Sequence, residues 1–223
     1  MPLTDARLAA ICEMLPSCAV VADIGADHGR LGAQLILNGA CKRVWFSDIS
    51  AESLQKARAL IGRLGLSEKA DFFVGDGANA LPDAPNAAVI AGMGGATISG
   101  ILENAGGKLD NTALVLQPNV GTTELRRTLE RVGFRISDER IVRAGNRWYV
   151  LIRAERGEMR LSPREAVAGP VLLLKNDENF RLYAAFRKRV AEKALAGAKK
   201  SPNADTEALE FELSVWKGMG ECL

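Results

Sequence analysis

The feature that most restricts this chain is a steady exchange, over roughly its first 150 residues, of short apolar runs with amphipathic segments. Ala19 to Ile24, Val44 to Ser47, Asp71 to Val74, Ala87 to Ala91 and Ala113 to Gln117 read as strands. Between them, Leu31 to Asn38, Thr97 to Asn104 and Thr123 to Val132 read as helices. So does a segment opened by Ser50, in which Leu54, Ala57, Ile61 and Leu64 share a face, with Gly65 as its stop. Strands apolar along their whole length must be buried on both faces, so helices must cover both sides of a mostly parallel sheet. Arg135 to Val142 and Trp148 to Arg153 flank Gly145-Asn146 and read as a closing antiparallel pair.

A first helix is expected from Leu3 to Leu15, with Thr4 as N-cap, Leu8, Ile11, Cys12 and Leu15 on one face, and Pro16 as its end. Strand signals stop near residue 155. Leu172 to Ala198 and Thr206 to Trp216 then read as two helices separated by Lys199-Lys200-Ser201-Pro202-Asn203, in the manner of an αα-hairpin. The expected organisation is an α/β domain over residues 1–155 and a small helical domain over residues 156–223.

Composition removes several classes. Apolar segments are too short for a bilayer, and the longest of the C-terminal third, Ala166 to Leu174, is broken by Gly169 and Pro170. Met1-Pro2-Leu3-Thr4-Asp5 shows no secretory pattern. Cys12, Cys18, Cys41 and Cys222 form no CxxC and no Cys/His cluster, so reduced thiols in the cytoplasm are expected, with no metal. The oligomeric state is open, a monomer being the simpler expectation. Residues 1–125 carry 9 Lys/Arg against 13 Asp/Glu, whereas residues 126–223 carry 20 against 14. A basic second half suits an anionic partner such as RNA, although solvated helix faces would give the same count.

The chemistry concentrates where strands give way to helices. Val20-Val21-Ala22-Asp23-Ile24-Gly25-Ala26-Asp27-His28-Gly29 is a buried strand ending in a glycine turn, the place where open α/β sheets bind ligands. A dinucleotide site would carry G-x-G-x-x-G and present a helix N-terminus to pyrophosphate. This turn has Gly25, Gly29 and Gly32 with Asp27 between the first two. A carboxylate there repels a phosphate and attracts a sulfonium or an ammonium group, which favours S-adenosylmethionine over NAD. Asp48 ends the second strand, where an acid reaches ribose hydroxyls, and Gly75-Asp76-Gly77 follows the third. Either acid alone would also fit ordinary turn chemistry.

After the fourth strand, Gly92-Met93-Gly94-Gly95 removes side chains where an acceptor could approach, or simply permits tight helix packing. Gln117-Pro118-Asn119 offers two amides on a stiff turn, suited to a nucleobase edge. His28, the only histidine, fits a loop anchor better than a catalyst. Trp148 and Tyr149 are core residues or stacking platforms. Arg181 to Lys200 contains seven basic residues and one acid, among them Arg187, Lys188 and Arg189, and offers contacts to an RNA backbone.

In order, Leu15-Pro16, Ala22-Asp23-Ile24-Gly25-Ala26-Asp27-His28, Gly75-Asp76-Gly77, Ile90-Ala91-Gly92-Met93-Gly94-Gly95, Leu116-Gln117-Pro118-Asn119, Leu125-Arg126 and Gly169-Pro170 resemble the bacterial tRNA (adenine-N1)-methyltransferases of the TrmK type. The likeness runs over about residues 3–175. It departs at Gly29-Arg30-Leu31-Gly32, where the family usually has Ala-Tyr-Leu-Pro, and at Ala51-Glu52-Ser53, where members often carry Gly-Pro. The resemblance implies a Rossmann-like class I methyltransferase domain with a coiled-coil-like helical domain behind it. It implies S-adenosyl-L-methionine as cofactor, tRNA as partner, and methylation of N1 of an adenine at position 22. It places Asp23, Gly25, Asp48 and Asp76 at the cofactor and makes Asp27 the catalytic carboxylate; Ile49, Gly77, Gly92 and Met93, next to these acids or in the glycine-rich turn, are expected at the cofactor with them. Gly94, Gly95, Gln117, Asn119 and Arg126 fall to the substrate side. A methyltransferase for small molecules or proteins, a non-catalytic RNA-binding module and an NAD-dependent oxidoreductase are the alternatives.

Overall fold

In a computed structural model, which describes residues 5–201 and 205–219, seven strands form one sheet in the order β3-β2-β1-β4-β5-β7-β6. The strands are β1 (Cys18–Ile24), β2 (Cys41–Asp48), β3 (Ala70–Val74), β4 (Ala87–Met93), β5 (Ala113–Pro118), β6 (Phe134–Ala144) and β7 (Arg147–Arg156). β1 to β5 are parallel, and β7 runs antiparallel to both β5 and β6. The helices α1 (Ala6–Met14), α2 (Arg30–Leu37), α3 (Ala51–Arg63), α4 (Gly95–Glu103) and α5 (Thr122–Arg131) complete the first unit, residues 1–160.

Val21, Val44, Ala87, Val89, Leu114 and Val115 are fully buried, as continuous apolar strands in a parallel sheet must be. The chain order leaves β1 toward β2 on one side and β4 on the other, so the crevice above β1 and β4 is the topological switch point.

Local chemistry sets the element ends. Thr4 lies outside the described residues, and α1 is instead capped by Asp5, whose side chain accepts from the Arg7 N–H at 2.9 Å. Ser50 caps α3 by accepting from the Ser53 N–H. At the other end Gly65, at φ +69°, allows the paired closing bonds Gly65 N–H to Gly62 O and Leu66 N–H to Ile61 O. β2 and β4 run beyond the ranges expected for them, because neighbouring strands pair with their ends: Cys41 with Cys18, and Met93 with Pro118.

The second unit, residues 161–223, contains α6 (Pro163–Ala168), α7 (Pro170–Lys175), α8 (Glu178–Ala198) and α9 (Glu207–Lys217). The single helix expected from Leu172 to Ala198 is two. Asn176 adopts the left-handed conformation that ends α7, and Asp177 caps α8 by accepting from the Phe180 N–H at 2.8 Å. α8 and α9 pack through Tyr183 and Trp216, edge to face at 5.8 Å. Pro202 and Asn203 of the expected linker lie outside the described residues, as does Cys222. No helix among the described residues is long and apolar enough to cross a membrane. Cys12, Cys18 and Cys41 are free thiols, and burial pushes Cys12 up to about 11 and Cys41 up to about 12.

Candidate active site

A cavity of about 1030 Å³ opens at the carboxyl ends of β1 to β4. Asp23, Gly25, Asp27, Asp48, Ile49, Asp76, Gly77, Gly92 and Met93 all line it. Its charged lining is five carboxylates, from Asp5, Asp23, Asp27, Asp48 and Asp76, against the guanidinium groups of Arg7 and Arg30. The pocket is therefore a place for a guest with positive charge.

Asp23 is the innermost acid, 3% exposed, and accepts from the Gly32 N–H at 3.0 Å. Burial pushes its carboxyl up to about 7; the Gly32 N–H works against that shift and the Asp48 charge adds to it. Asp48 shapes the loops around it. One of its oxygens accepts from the Asp27 N–H at 3.0 Å and the other from the Ser50 N–H at 2.8 Å. The first bond ties the turn after β1 to the end of β2.

Asp27 sits at φ +46°, a region that Asp and Asn tolerate better than other residues with a side chain. The conformation projects an exposed carboxylate at the cavity, hydrogen-bonded to Nδ1 of His28 at 2.6 Å. His28 is exposed as well, so it serves the Asp27 carboxylate and not a buried anchor point.

Gly25, at φ +75°, is where a side chain would fill the cradle. A Cβ there would come within 1.8 Å of Met93 Cε. Gly92 falls at a β-bulge between Ala91 and Met93, at φ +81°, which turns its carbonyl out of the ladder.

The chain matches the family described as "Methyltransferase domain" over residues 4–152. This protein belongs to that family. The tRNA (adenine(22)-N(1))-methyltransferase of Bacillus subtilis is 32% identical over 154 residues, which span 68% of this chain and 65% of that protein. Sp1610 of Streptococcus pneumoniae, solved in complex with S-adenosyl-L-methionine, superposes with a TM-score of 0.85 at 28% identity, covering 96% of this chain and 98% of that one. The B. subtilis m1A22 tRNA methyltransferase TrmK gives a TM-score of 0.81 at 26% identity, covering 99% of this chain and 97% of that one.

In this chain the remaining expected residues separate into different roles. Gly94 is the N-cap of α4. Gly95 is a packing residue: a Cβ would meet the Gly121 carbonyl oxygen at 2.3 Å, and its N–H donates to Val120 O at 2.8 Å. Gln117 is wholly buried. It accepts from Arg7 Nη1 at 2.8 Å and donates to Asn119 Oδ1 at 3.0 Å, so it does not reach a substrate. Asn119 is exposed beside Gly92 and Met93.

Arg126, expected at the substrate, is only 1% exposed and pairs with the buried carboxylate of Glu139 at 2.8 Å. It ties α5 to β6 and cannot contact an RNA. Arg187 is likewise engaged within the helical unit, paired with Glu212 and lying over the Trp216 ring. Lys188 is half-buried and Arg189 exposed. Trp148 and Tyr149 carry Arg143 and Arg7 over their rings.

The sequence reading missed Arg7. Its guanidinium lies 5.2 Å from the centre of the Tyr149 ring and bonds Gln117, 110 positions away, and no local pattern announces such a contact.

Proposed function

We propose that this chain is an S-adenosyl-L-methionine-dependent tRNA methyltransferase acting on N1 of an adenine, with position 22 of the tRNA as its target and the cytoplasm as its location. The observation that carries the reading is the acid-lined cavity at the ends of four parallel strands. The residues present fit the cofactor. Asp23, Asp27, Asp48 and Asp76 in the lining suit a sulfonium and an α-ammonium group, and glycine stands at position 25, where a Cβ would press on the end of the Met93 side chain. Asp48 and Asp76 would hold the adenosyl portion, with Asp23 and the turn at Gly25 beneath the amino-acid portion. Arg7 supplies positive charge for a carboxylate. When bound, the cofactor supplies a methyl group activated by a positively charged sulfur.

The rest is positioning. Adenine N1 carries an in-plane lone pair and needs no strong base to be nucleophilic. The ring becomes cationic as N1 is alkylated, and Asp27 stabilises that charge or holds the proton shed by the exocyclic amine. N1 lies on the pairing edge, so the base must be unpaired or extruded before it reaches the site. The names of the relatives in B. subtilis support tRNA as the substrate, and the basic surface of α8, including Lys188 and Arg189, supports contact with a polyanion.

The test is incubation with methyl-labelled S-adenosylmethionine and unmodified tRNA, followed by nucleoside mass spectrometry. N1-methyladenosine is the expected product. Label found only in small molecules or protein would remove the reading.

A further inference from the structure

Arg7, Gln117, Asn119 and the Gly92 carbonyl form a hydrogen-bonded chain whose two ends, Arg7 and Gly92, belong to the cavity lining, with buried Gln117 and exposed Asn119 between them. Arg7 Nη1 donates to Gln117 Oε1 at 2.8 Å, Gln117 Nε2 to Asn119 Oδ1 at 3.0 Å, and Asn119 Nδ2 to Gly92 O at 2.6 Å. A guanidinium can only donate and a carbonyl can only accept, so the two ends determine which way both amides face. Flipping either amide would set donor against donor or acceptor against acceptor. The Asn119 backbone is held too, its N–H donating to Met93 O at 2.7 Å.

An amide oxygen has two acceptor sites and an amide nitrogen two hydrogens. The chain uses one of each at Asn119, leaving one acceptor and one donor on an exposed side chain. Adenine offers the complement on its Hoogsteen edge: N6–H donates and N7 accepts, the pairing that Asn makes with adenine. This is the edge that leaves N1 free. Guanine places acceptors at both O6 and N7, so it cannot satisfy the pair.

We propose that Asn119 is the specificity-determining residue for the target base, reading adenine through N6 and N7, with Gln117 and Arg7 as positioning residues that set its polarity. The proposal rests on the function proposed above. The bulge at Gly92 belongs to the same device, because it turns toward Asn119 the carbonyl that closes the chain.

The experiment uses the full chain at saturating S-adenosylmethionine and two tRNA transcripts, one unmodified and one with 7-deazaadenosine at the methylated position. That analogue keeps N1 and N6 and lacks the N7 acceptor. Loss of one hydrogen bond predicts a fall in kcat/KM of roughly tenfold for the wild-type protein. Asn119→Ala should lose activity on the unmodified transcript and treat both transcripts alike. Gln117→Glu still accepts from Arg7 but cannot donate to Asn119, and Arg7→Met removes the fixed donor; in both, the preference should shrink toward unity. A merely structural role would lower both rates and keep their ratio. Equal wild-type rates on the two transcripts, or a preference that persists in Asn119→Ala, would overturn the proposal while leaving the methyltransferase reading intact. No N1-methyladenosine on the unmodified transcript would remove both.

Discussion

Replacing Asp23 by Asn should make the protein more stable at alkaline pH while weakening its hold on the cofactor. The carboxyl is 3% exposed and is pushed from its usual 3.8 up to about 7, chiefly by burial. Below pH 4 it is protonated in both the folded and the unfolded chain and contributes nothing. Between about 4 and 7 the folded chain keeps a proton that the unfolded chain has released, so stability falls as pH rises. Above 7 the whole penalty is present. At about 1.4 kcal/mol per pH unit that interval bounds the penalty at roughly 4 kcal/mol, and water entering the cavity reduces it. Asn keeps an oxygen for the Gly32 N–H and carries no charge. Its extra amide hydrogens can cost stability, but equally at every pH, so the pH dependence is what decides. Urea unfolding at pH 5, 7 and 8.5 should show the variant gaining about 2 to 3 kcal/mol on wild type between the extremes. A stability difference independent of pH would refute the assignment of a penalised buried charge.

Asp27→Asn should cut kcat by roughly 100-fold or more with little change in the Kd for S-adenosylmethionine, measured by calorimetry; equal losses in both would make Asp27 a cofactor ligand only. Arg126→Met leaves the Glu139 carboxylate buried beside an apolar side chain, and urea unfolding should show a loss of about 3 to 5 kcal/mol. A loss under 1 kcal/mol would mean that α5 and β6 do not depend on the pair. Neutralising Lys188 and Arg189 together should weaken tRNA binding and flatten its salt dependence in filter binding at several ionic strengths, whereas an unchanged slope would assign the RNA contact to another surface.

What the sequence settled by itself is the layered α/β architecture and the ring of acids. Uninterrupted apolar strands such as Ala87 to Ala91 require cover on both faces, and that requirement is written locally in residue type. Asp23, Asp27, Asp48 and Asp76 are each found at the end of an apolar run, and any parallel sheet gathers the ends of its strands on one edge. The break between α7 and α8 was also written locally, in Asn176-Asp177, but the apolar pattern on either side obscured it. Tertiary structure alone decided which polar residues are buried and which stay exposed. Gln117 and Arg126 resemble surface contacts in the sequence, yet both are buried, because Arg7 and Glu139 reach them from distant segments. A buried polar group is tolerated only when its partner is in place, and no local pattern contains a partner 110 residues away.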